Sequence, residues 1–323
     1  MGLLVDGQWQ DKWYDTESND GEFERQEQAF RSWITADGSA GPSGDAGFGP
    51  ERDRYHLYVS LACPWAHRVL IMRALKGLEA FFPLSVVDWY MGENGWTFRE
   101  RDGVVPDPLY AADYLYEIYQ KADPNFTGRV TVPVVWDKKN ETIVNNESAE
   151  IIRMLNSAFD EAGALPGDYY PEELRSEIDD VNDRVYHTLN NGVYKCGFAT
   201  RQKAYEKHVQ PLFDTLDWLE DRLAGHRYLA GDRLTEADIR LFTTLVRFDA
   251  VYHGHFKCNL RRIVDYPNLW AYTRELYQHE KIRPTVDFKH IKHHYYASHE
   301  KVNPTRIVPA GPEIDFDEPH GRG

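Results

Sequence analysis

The sequence predicts an α/β domain followed by an all-helical domain, and two patterns carry that expectation. Between Tyr55 and Ala158, β-rich apolar runs of strand length alternate with helical periods. From Pro171 to about Tyr296 only helical periodicity is present, as in Val209, Leu212, Phe213, Leu216 and Leu219. A chain of 323 residues suits two domains of ordinary size. The expected divisions are an irregular extension over 1–50, the α/β domain over 51–160, the helical domain over 171–302 and an irregular tail over 303–323.

The extension has few periodic apolar positions, and its Gly38–Gly47 stretch reads as a flexible, solvated loop. Order is expected to begin with a strand over Tyr55–Leu61, then a turn at Ala62-Cys63-Pro64 and a helix from Trp65 to Lys76 closed by Gly77. A second strand, Leu84–Trp89, follows at the distance a parallel partner needs. Met91–Pro108 reads as an inserted loop ahead of a helix around Tyr110–Ala122. Val130–Asp137 and Thr142–Asn145 read as a hairpin, and a helix over Ser148–Ala158 closes the unit. In the helical half, Thr235-Glu236-Ala237-Asp238 reads as a capping box with Asp in the usual Glu position, a folding signal. Prolines 304, 309, 312 and 319 make the tail irregular.

Composition narrows the function classes. Hydrophobic residues at 42% and aromatics at 14% supply a real core and exclude global disorder. No window approaches about 18 uninterrupted apolar residues, and the N-terminus lacks a signal-peptide pattern, so a cytoplasmic, non-membrane protein is expected. Three scattered cysteines argue against a disulfide framework. A net charge of -15 repels nucleic acid and anionic membranes, which points to small-molecule partners. Arg outnumbers Lys, 24 to 13, and Asp is abundant, a balance that keeps a protein hydrated in a salt-adapted host.

The chemistry concentrates at Cys63-Pro64-Trp65-Ala66. Cys63 stands where a strand meets a helix, so unpaired N–H groups and the positive end of the helix dipole favour its thiolate. Pro64 suits the first helical position, and His67 and Arg68 bring further positive charge. Cys196 and Cys258 read as buried structural thiols, the ordinary state of a free cysteine. Ala66 stands where a second cysteine would allow an internal disulfide, so the intermediate must be a mixed disulfide with a small thiol, for which glutathione is the natural candidate. Val132-Pro133, at a strand entrance, is either a cis bond that turns backbone groups toward a ligand or an ordinary edge proline. Glu147-Ser148 opens a helix. There the Ser148 hydroxyl and backbone amides can grip a carboxylate and Glu147 an ammonium, as a γ-glutamyl group requires, or the pair is a simple cap. His290, His293, His294 and His299 form the one histidine cluster, but no Cys or carboxylate joins them at ligand spacing, so no metal is expected.

The order strand, Cys-Pro-Trp-Ala helix, strand, helix, Val-Pro strand, hairpin, Glu-Ser helix and all-helical half resembles the glutathione transferase superfamily. That resemblance implies a thioredoxin-like N-terminal domain followed by an all-helical glutathione-transferase C-terminal domain, and it favours a cis Val132-Pro133 bond. Within the superfamily, Cys63–Arg68, Val87–Trp96, Asn190–Tyr194 and His294-Tyr295-Tyr296 with Asn303-Pro304 resemble the glutathionyl-hydroquinone reductases, or xi class, over about Trp33 to Pro312. The resemblance implies that Cys63 is the nucleophile, that Trp96, Arg129, Val132, Glu147 and Ser148 surround glutathione, and that Tyr194 and Tyr295 serve the quinone side. It also implies a homodimer that reduces glutathionyl-hydroquinones to hydroquinones and releases oxidised glutathione. Two other readings use the same residues: a general monothiol transferase acting on disulfides or dehydroascorbate, and a non-catalytic binding module, against which the retained Cys63-Pro64 speaks. A shorter γ-glutamyl thiol would satisfy Glu147 and Ser148 equally well.

Overall fold

In the computed structural model of the chain, residues 2–42 and 47–322 are described, so residues 43–46 of the expected Gly-rich loop lie outside the described residues. The chain divides into two units. The first comprises Met1–Trp13, Gln26–Asp168 and Thr285–His294, and the second Tyr14–Arg25, Tyr169–Pro284 and Tyr295–Gly323.

The first fifty residues are not the irregular extension their composition suggests. They contain β1 (Leu3–Val5), β2 (Gln8–Gln10), β3 (Trp33–Ile34) and β4 (Gly47–Phe48). Asp6 and Gly7 join β1 to β2 with φ of 46° and 72°, the left-handed pair that a two-residue hairpin turn demands and that Asp-Gly supplies. Next come β5 (Tyr55–Val59), α1 (Pro64–Leu75), β6 (Leu84–Val86), α2 (Leu115–Ala122), β7 (Gly128–Arg129), β8 (Val134–Asp137), β9 (Thr142–Asn145) and α3 (Ser148–Ser157). The central sheet has the order β6-β5-β8-β9, with β5 parallel to β6 and antiparallel to β8, and β8 antiparallel to β9. Every residue of β5 is buried, as in a strand covered on both faces, and α1 packs on α3. This is the expected thioredoxin-like arrangement.

Three boundaries differ from the sequence reading by more than two residues. The strand expected over 130–137 is only β8, which begins after Pro133, while β7 just ahead of it pairs with β1 in a separate sheet of order β2-β1-β7. The strand expected over 84–89 ends at Val86. The helix expected around Tyr110 begins at Leu115, because the Asp107 carboxylate accepts from the N–H groups of Leu109, Tyr110 and Ala112 and holds those residues in a turn.

In the second unit the helices are α4 (Arg175–Val185), α5 (Gly192–Gly197), α6 (Gln202–Gly225), α7 (Glu236–Arg247), α8 (His253–His255) and α9 (Pro267–Gln278). Single π-helical turns, Tyr186–Asn190 and Phe248–Tyr252, interrupt the path into α5 and out of α7. Helix α10 (Phe288–Ser298) follows, its residues from Tyr295 onward grouped with the second unit. The apolar stripe of α6 is buried at Leu212, Phe213, Leu216 and Leu219, and α6 packs on α5 and α9. Thr235 caps α7, and the Asp238 carboxylate returns to the Thr235 N–H at 2.8 Å, as the capping-box pattern requires. Residues after Ser298 form no helix or strand among those described, yet the tail is packed: Phe316 lies on Trp270 and Tyr277, and Arg322 pairs with Glu275. Among the described residues no helix is long and apolar enough to cross a membrane.

Candidate active site

Cys63 is the N-cap of α1, in an extended conformation with φ -73° and ψ 122°, and Pro64 takes the first helical position. The backbone therefore turns into the helix at the sulfur, the place where helix N–H groups have no intrahelical acceptor. The thiol is part exposed, whereas Cys196 and Cys258 are buried, and burial pushes the Cys258 thiol well up. Cys63 Sγ donates to the Val132 carbonyl at 3.5 Å, and the Val132-Pro133 bond is cis. Of the two residues that follow in α1, His67 is buried with Nε2 2.8 Å from Thr285 Oγ1, and the Arg68 guanidinium lies 4.5 Å over the Trp65 ring.

The opening of α3 lies on the neighbouring strand path. Glu147, not Ser148, is the N-cap, and its carboxylate accepts from the Ala149 N–H at 3.0 Å while the Ser148 hydroxyl donates to it at 3.4 Å. Asn145 Oδ1 accepts the Glu147 N–H at 2.7 Å and fixes the turn from β9. A half-buried polar network ties this turn to the Val132 segment. Gln28 Oε1 accepts from Thr131 Oγ1 at 2.9 Å and Asn146 Nδ2 at 3.0 Å, while the Tyr119 hydroxyl donates to the Thr131 carbonyl at 2.8 Å. Gln28 thus links the residues next to Val132 and Glu147, a contact between sequence-distant positions that no local pattern signals.

Trp96 is buried and stacks on His294 at 4.8 Å and 23°, and His294 Nδ1 donates to the Trp89 carbonyl at 2.8 Å, which fixes that nitrogen as protonated. The Arg129 guanidinium donates to the carbonyls of Lys12 and Trp13, the latter at 3.0 Å, so it holds the segment after β2. With five donors, a guanidinium can serve such carbonyls and a further acceptor together.

In the second unit the hydroxyls of Tyr194 and Tyr295 are 2.6 Å apart, and Tyr252 adds a third hydroxyl 3.0 Å from Tyr295. Tyr295 is 1% exposed and Tyr194 8%, so the outer end of the chain of hydroxyls is Tyr194. Burial raises the Tyr295 phenol well above its ordinary range, reinforced by both neighbouring tyrosines and opposed by Arg247. Tyr296 is separate: its hydroxyl reaches the Ala250 carbonyl at 3.5 Å. Tyr252 went unread in the sequence because it sits in the Phe248–Tyr252 π-turn, outside any motif, although π-turns recur at functional sites. His255 and His299, buried and 3.2 Å apart, flank the same aromatic cluster. Among the described residues no three His, Cys, Asp or Glu side chains converge as metal ligands; His290 Nε2 meets the Asp102 carbonyl, and His293 Nδ1 the Lys289 carbonyl.

Family models describe residues 62–158 as a glutathione S-transferase N-terminal domain and residues 202–275 as a glutathione S-transferase C-terminal domain. The glutathionyl-hydroquinone reductase PcpF of Sphingobium chlorophenolicum is 64% identical over 97% of this chain and 96% of its own. The glutathionyl-hydroquinone reductase YqjG of Escherichia coli K12 is 60% identical over 100% of this chain and 98% of its own. The glutathione-bound structure of YqjG superposes with a TM-score of 0.92, 57% of superposed residues identical, over 99% of both chains. The xi-class glutathione transferase of Natrialba magadii superposes with a TM-score of 0.91 at 51% identity, over 100% of this chain and 96% of its own.

Proposed function

The chain belongs to the xi class of glutathione transferases, the glutathionyl-hydroquinone reductases, and we propose that it reduces glutathionyl-hydroquinones to hydroquinones at the expense of glutathione. The observation that carries the proposal is a part-exposed lone thiol at the start of α1, beside the Val132 carbonyl, in a chain this close to enzymes of that name.

The chemistry follows from a monothiol. The Cys63 thiolate attacks the sulfur of the glutathionyl-hydroquinone, an S–S bond forms and the aryl C–S bond breaks. Its electron pair passes to the ring carbon, which takes a proton and leaves as hydroquinone. Sulfur is oxidised to the disulfide level and the ring carbon is reduced. A second glutathione thiolate then attacks the Cys63 mixed disulfide, releasing oxidised glutathione and the free thiolate. Ala66 supports this order, because no second thiol at that position competes for the intermediate.

We assign Trp96, Arg129, Val132, Glu147 and Ser148 to glutathione. Val132 backbone groups meet its cysteinyl part, Glu147 with Ser148 its γ-glutamyl end, Trp96 its flank, and Arg129 a carboxylate shared with the Lys12 and Trp13 carbonyls. Tyr194 and Tyr295 are assigned the hydrogen bond to the ring oxygen on which charge develops as the aryl group departs. The direct contact of their hydroxyls supports a joint role, and it favours Tyr295 over Tyr296. Glutathione is the proposed co-substrate, with a shorter γ-glutamyl thiol as the variant the same contacts admit, and a cytoplasmic homodimer without a metal is the proposed working form; sedimentation of the purified protein tests the dimer.

Single-turnover mass spectrometry with glutathionyl-menadiol tests the reaction. Wild type is expected to gain one glutathione on Cys63 as free hydroquinone appears, and Cys63→Ser to do neither. Disulfide exchange without cleavage of the thioether would replace this reading with the general thiol transferase, and no adduct from any thiol would leave a binding module.

A further inference from the structure

Arg25 lies in the Tyr14–Arg25 segment of the second unit. Its guanidinium carbon sits 4.9 Å from the Tyr194 ring centroid and 5.4 Å from that of Phe23, and its Nε donates to Asn191 Oδ1 at 2.9 Å. One side chain thus grips both ends of the Asn191–Tyr194 turn: the amide that enters α5 and the tyrosine on which the hydroxyl chain opens. Phe23 in turn meets Phe198 and Tyr14 edge to face, so the segment that carries Arg25 is anchored by aromatic contacts independent of the charge.

We propose that Arg25 is a positioning residue for the quinone-side step, holding Tyr194 in place through Asn191 and polarising its hydroxyl through the ring face. The inference rests on the assignment of Tyr194 to that step. A cation over a tyrosine face is attracted to the ring quadrupole, and the attraction grows as the phenol gives up its proton, because negative charge then spreads into the ring. Arg25 therefore strengthens Tyr194 as a hydrogen-bond donor. The other charged or titratable groups around the hydroxyl chain are Tyr252 from the π-turn after α7, Tyr295 from α10, Arg247 acting on Tyr295, and His255 and His299, whose rings contact that of Tyr295. Arg25 itself lies over the Tyr194 ring. A guanidinium suits the task better than an ammonium because its plane can stack while its edge donates.

The test separates this role from the reaction itself. Carbon-13 label at tyrosine Cζ, with Tyr194 assigned by its loss in Tyr194→Phe, reads the ionisation of that hydroxyl in wild type, Arg25→Lys and Arg25→Gln of the full chain. The expected result is a Tyr194 titration displaced to higher pH in Arg25→Gln and largely restored in Arg25→Lys. In parallel, kcat for hydroquinone release falls about three- to tenfold in Arg25→Gln with KM for glutathione unchanged and the alkaline limb of the kcat profile moved up. An unmoved Tyr194 titration in Arg25→Gln overturns the proposal, as does an equal loss of kcat in Arg25→Lys and Arg25→Gln with the alkaline limb fixed, which would mark a purely structural residue. If wild type releases no hydroquinone, the reaction assignment fails, while the titration still decides whether Arg25 polarises Tyr194.

Discussion

Three phenol hydroxyls in a row can pass one hydrogen-bond direction along the chain, and the middle one decides it. Tyr295 occupies that position, 2.6 Å from Tyr194 and 3.0 Å from Tyr252, and its burial keeps it protonated far above neutral pH. A protonated Tyr295 can donate to the Tyr194 oxygen, and Tyr194 then directs its own proton to a substrate oxygen. Tyr295→Phe should therefore slow aryl release by roughly 10- to 100-fold, at or below the usual worth of a general acid, while glutathionylation of Cys63 by oxidised glutathione proceeds at the wild-type rate. Tyr296→Phe should leave both steps within about twofold, since its hydroxyl meets backbone groups, the Ala250 carbonyl at 3.5 Å and the His255 amide, rather than the Tyr194 and Tyr295 hydroxyls. Stopped-flow comparison of the two variants decides: a greater loss in Tyr296→Phe would reverse the assignment. At this scale the sequence was informative where a residue's meaning is set by its immediate neighbours in the chain. Cys63 before Pro64 marked a helix start, and the helix starts there. Tyr252 and Gln28 were silent because the side chains they hydrogen-bond are 43 residues away or more.

Helix ends show the same division between local and distant causes. The Thr235–Asp238 pattern announced the start of α7, and the structure adds what the pattern does not contain. The Asp238 carboxylate accepts from the N–H groups of Thr235 and Leu229 and from the hydroxyls of Thr235 and Tyr272, at 2.7 to 3.0 Å. It is a buried hub that joins the loop before α7 to α9 as well as a cap, and burial raises its pKa against the pull of those donors. Asp238→Ala strands four buried donors, each worth about 1 kcal/mol or more, so a loss of about 4 kcal/mol is expected. Thr235→Ala, which removes a single capping hydroxyl, should cost about 1 kcal/mol. Urea midpoints for the two variants check this, and equal losses would mean that Asp238 is a cap and no more. The elements misread were those whose limits depend on side chains elsewhere. Asp107 delays α2, and the run that reads as one strand over 130–137 is strand only from Val134, the pairing with β1 falling on Gly128–Arg129 before it. The Asp6-Gly7 hairpin was the exception: its turn signal was present in the chain and was hidden only by the polar composition around it.

For the molecule as a whole, a net charge of -15 predicts solubility at neutral pH but says little about how stability changes on acidification, because that depends on groups whose proton affinity differs between folded and unfolded chain. His56 is such a group. It lies on β5 in the middle of the first unit, buried, with Nε2 2.8 Å from Ser85 Oγ and its ring against Tyr58. Burial lowers its pKa to about 4 from the ordinary 6.5, with Asp107 opposing weakly. His208 and His279 are depressed in the same direction, also chiefly by burial. As pH falls below about 6.5 the unfolded chain takes up a proton at position 56 that the folded chain refuses until about 4, so the unfolded state gains in that window and stability is lost. A difference of that size is worth about 3 kcal/mol across the interval. Asp238 and Asp249, raised by burial, act in the opposite sense, and carboxylates lowered by ion pairs, such as Asp265 beside Arg262, add their loss only below about pH 4. Between pH 6.5 and 4.5 the buried histidines should therefore dominate. Urea unfolding at half-unit steps should show stability falling with pH in wild type and a shallower fall in His56→Gln, whatever the variant costs at pH 7. Parallel curves for the two proteins would mean that His56 takes up its proton in the folded state as readily as in the unfolded one, and that burial on β5 does not set its charge.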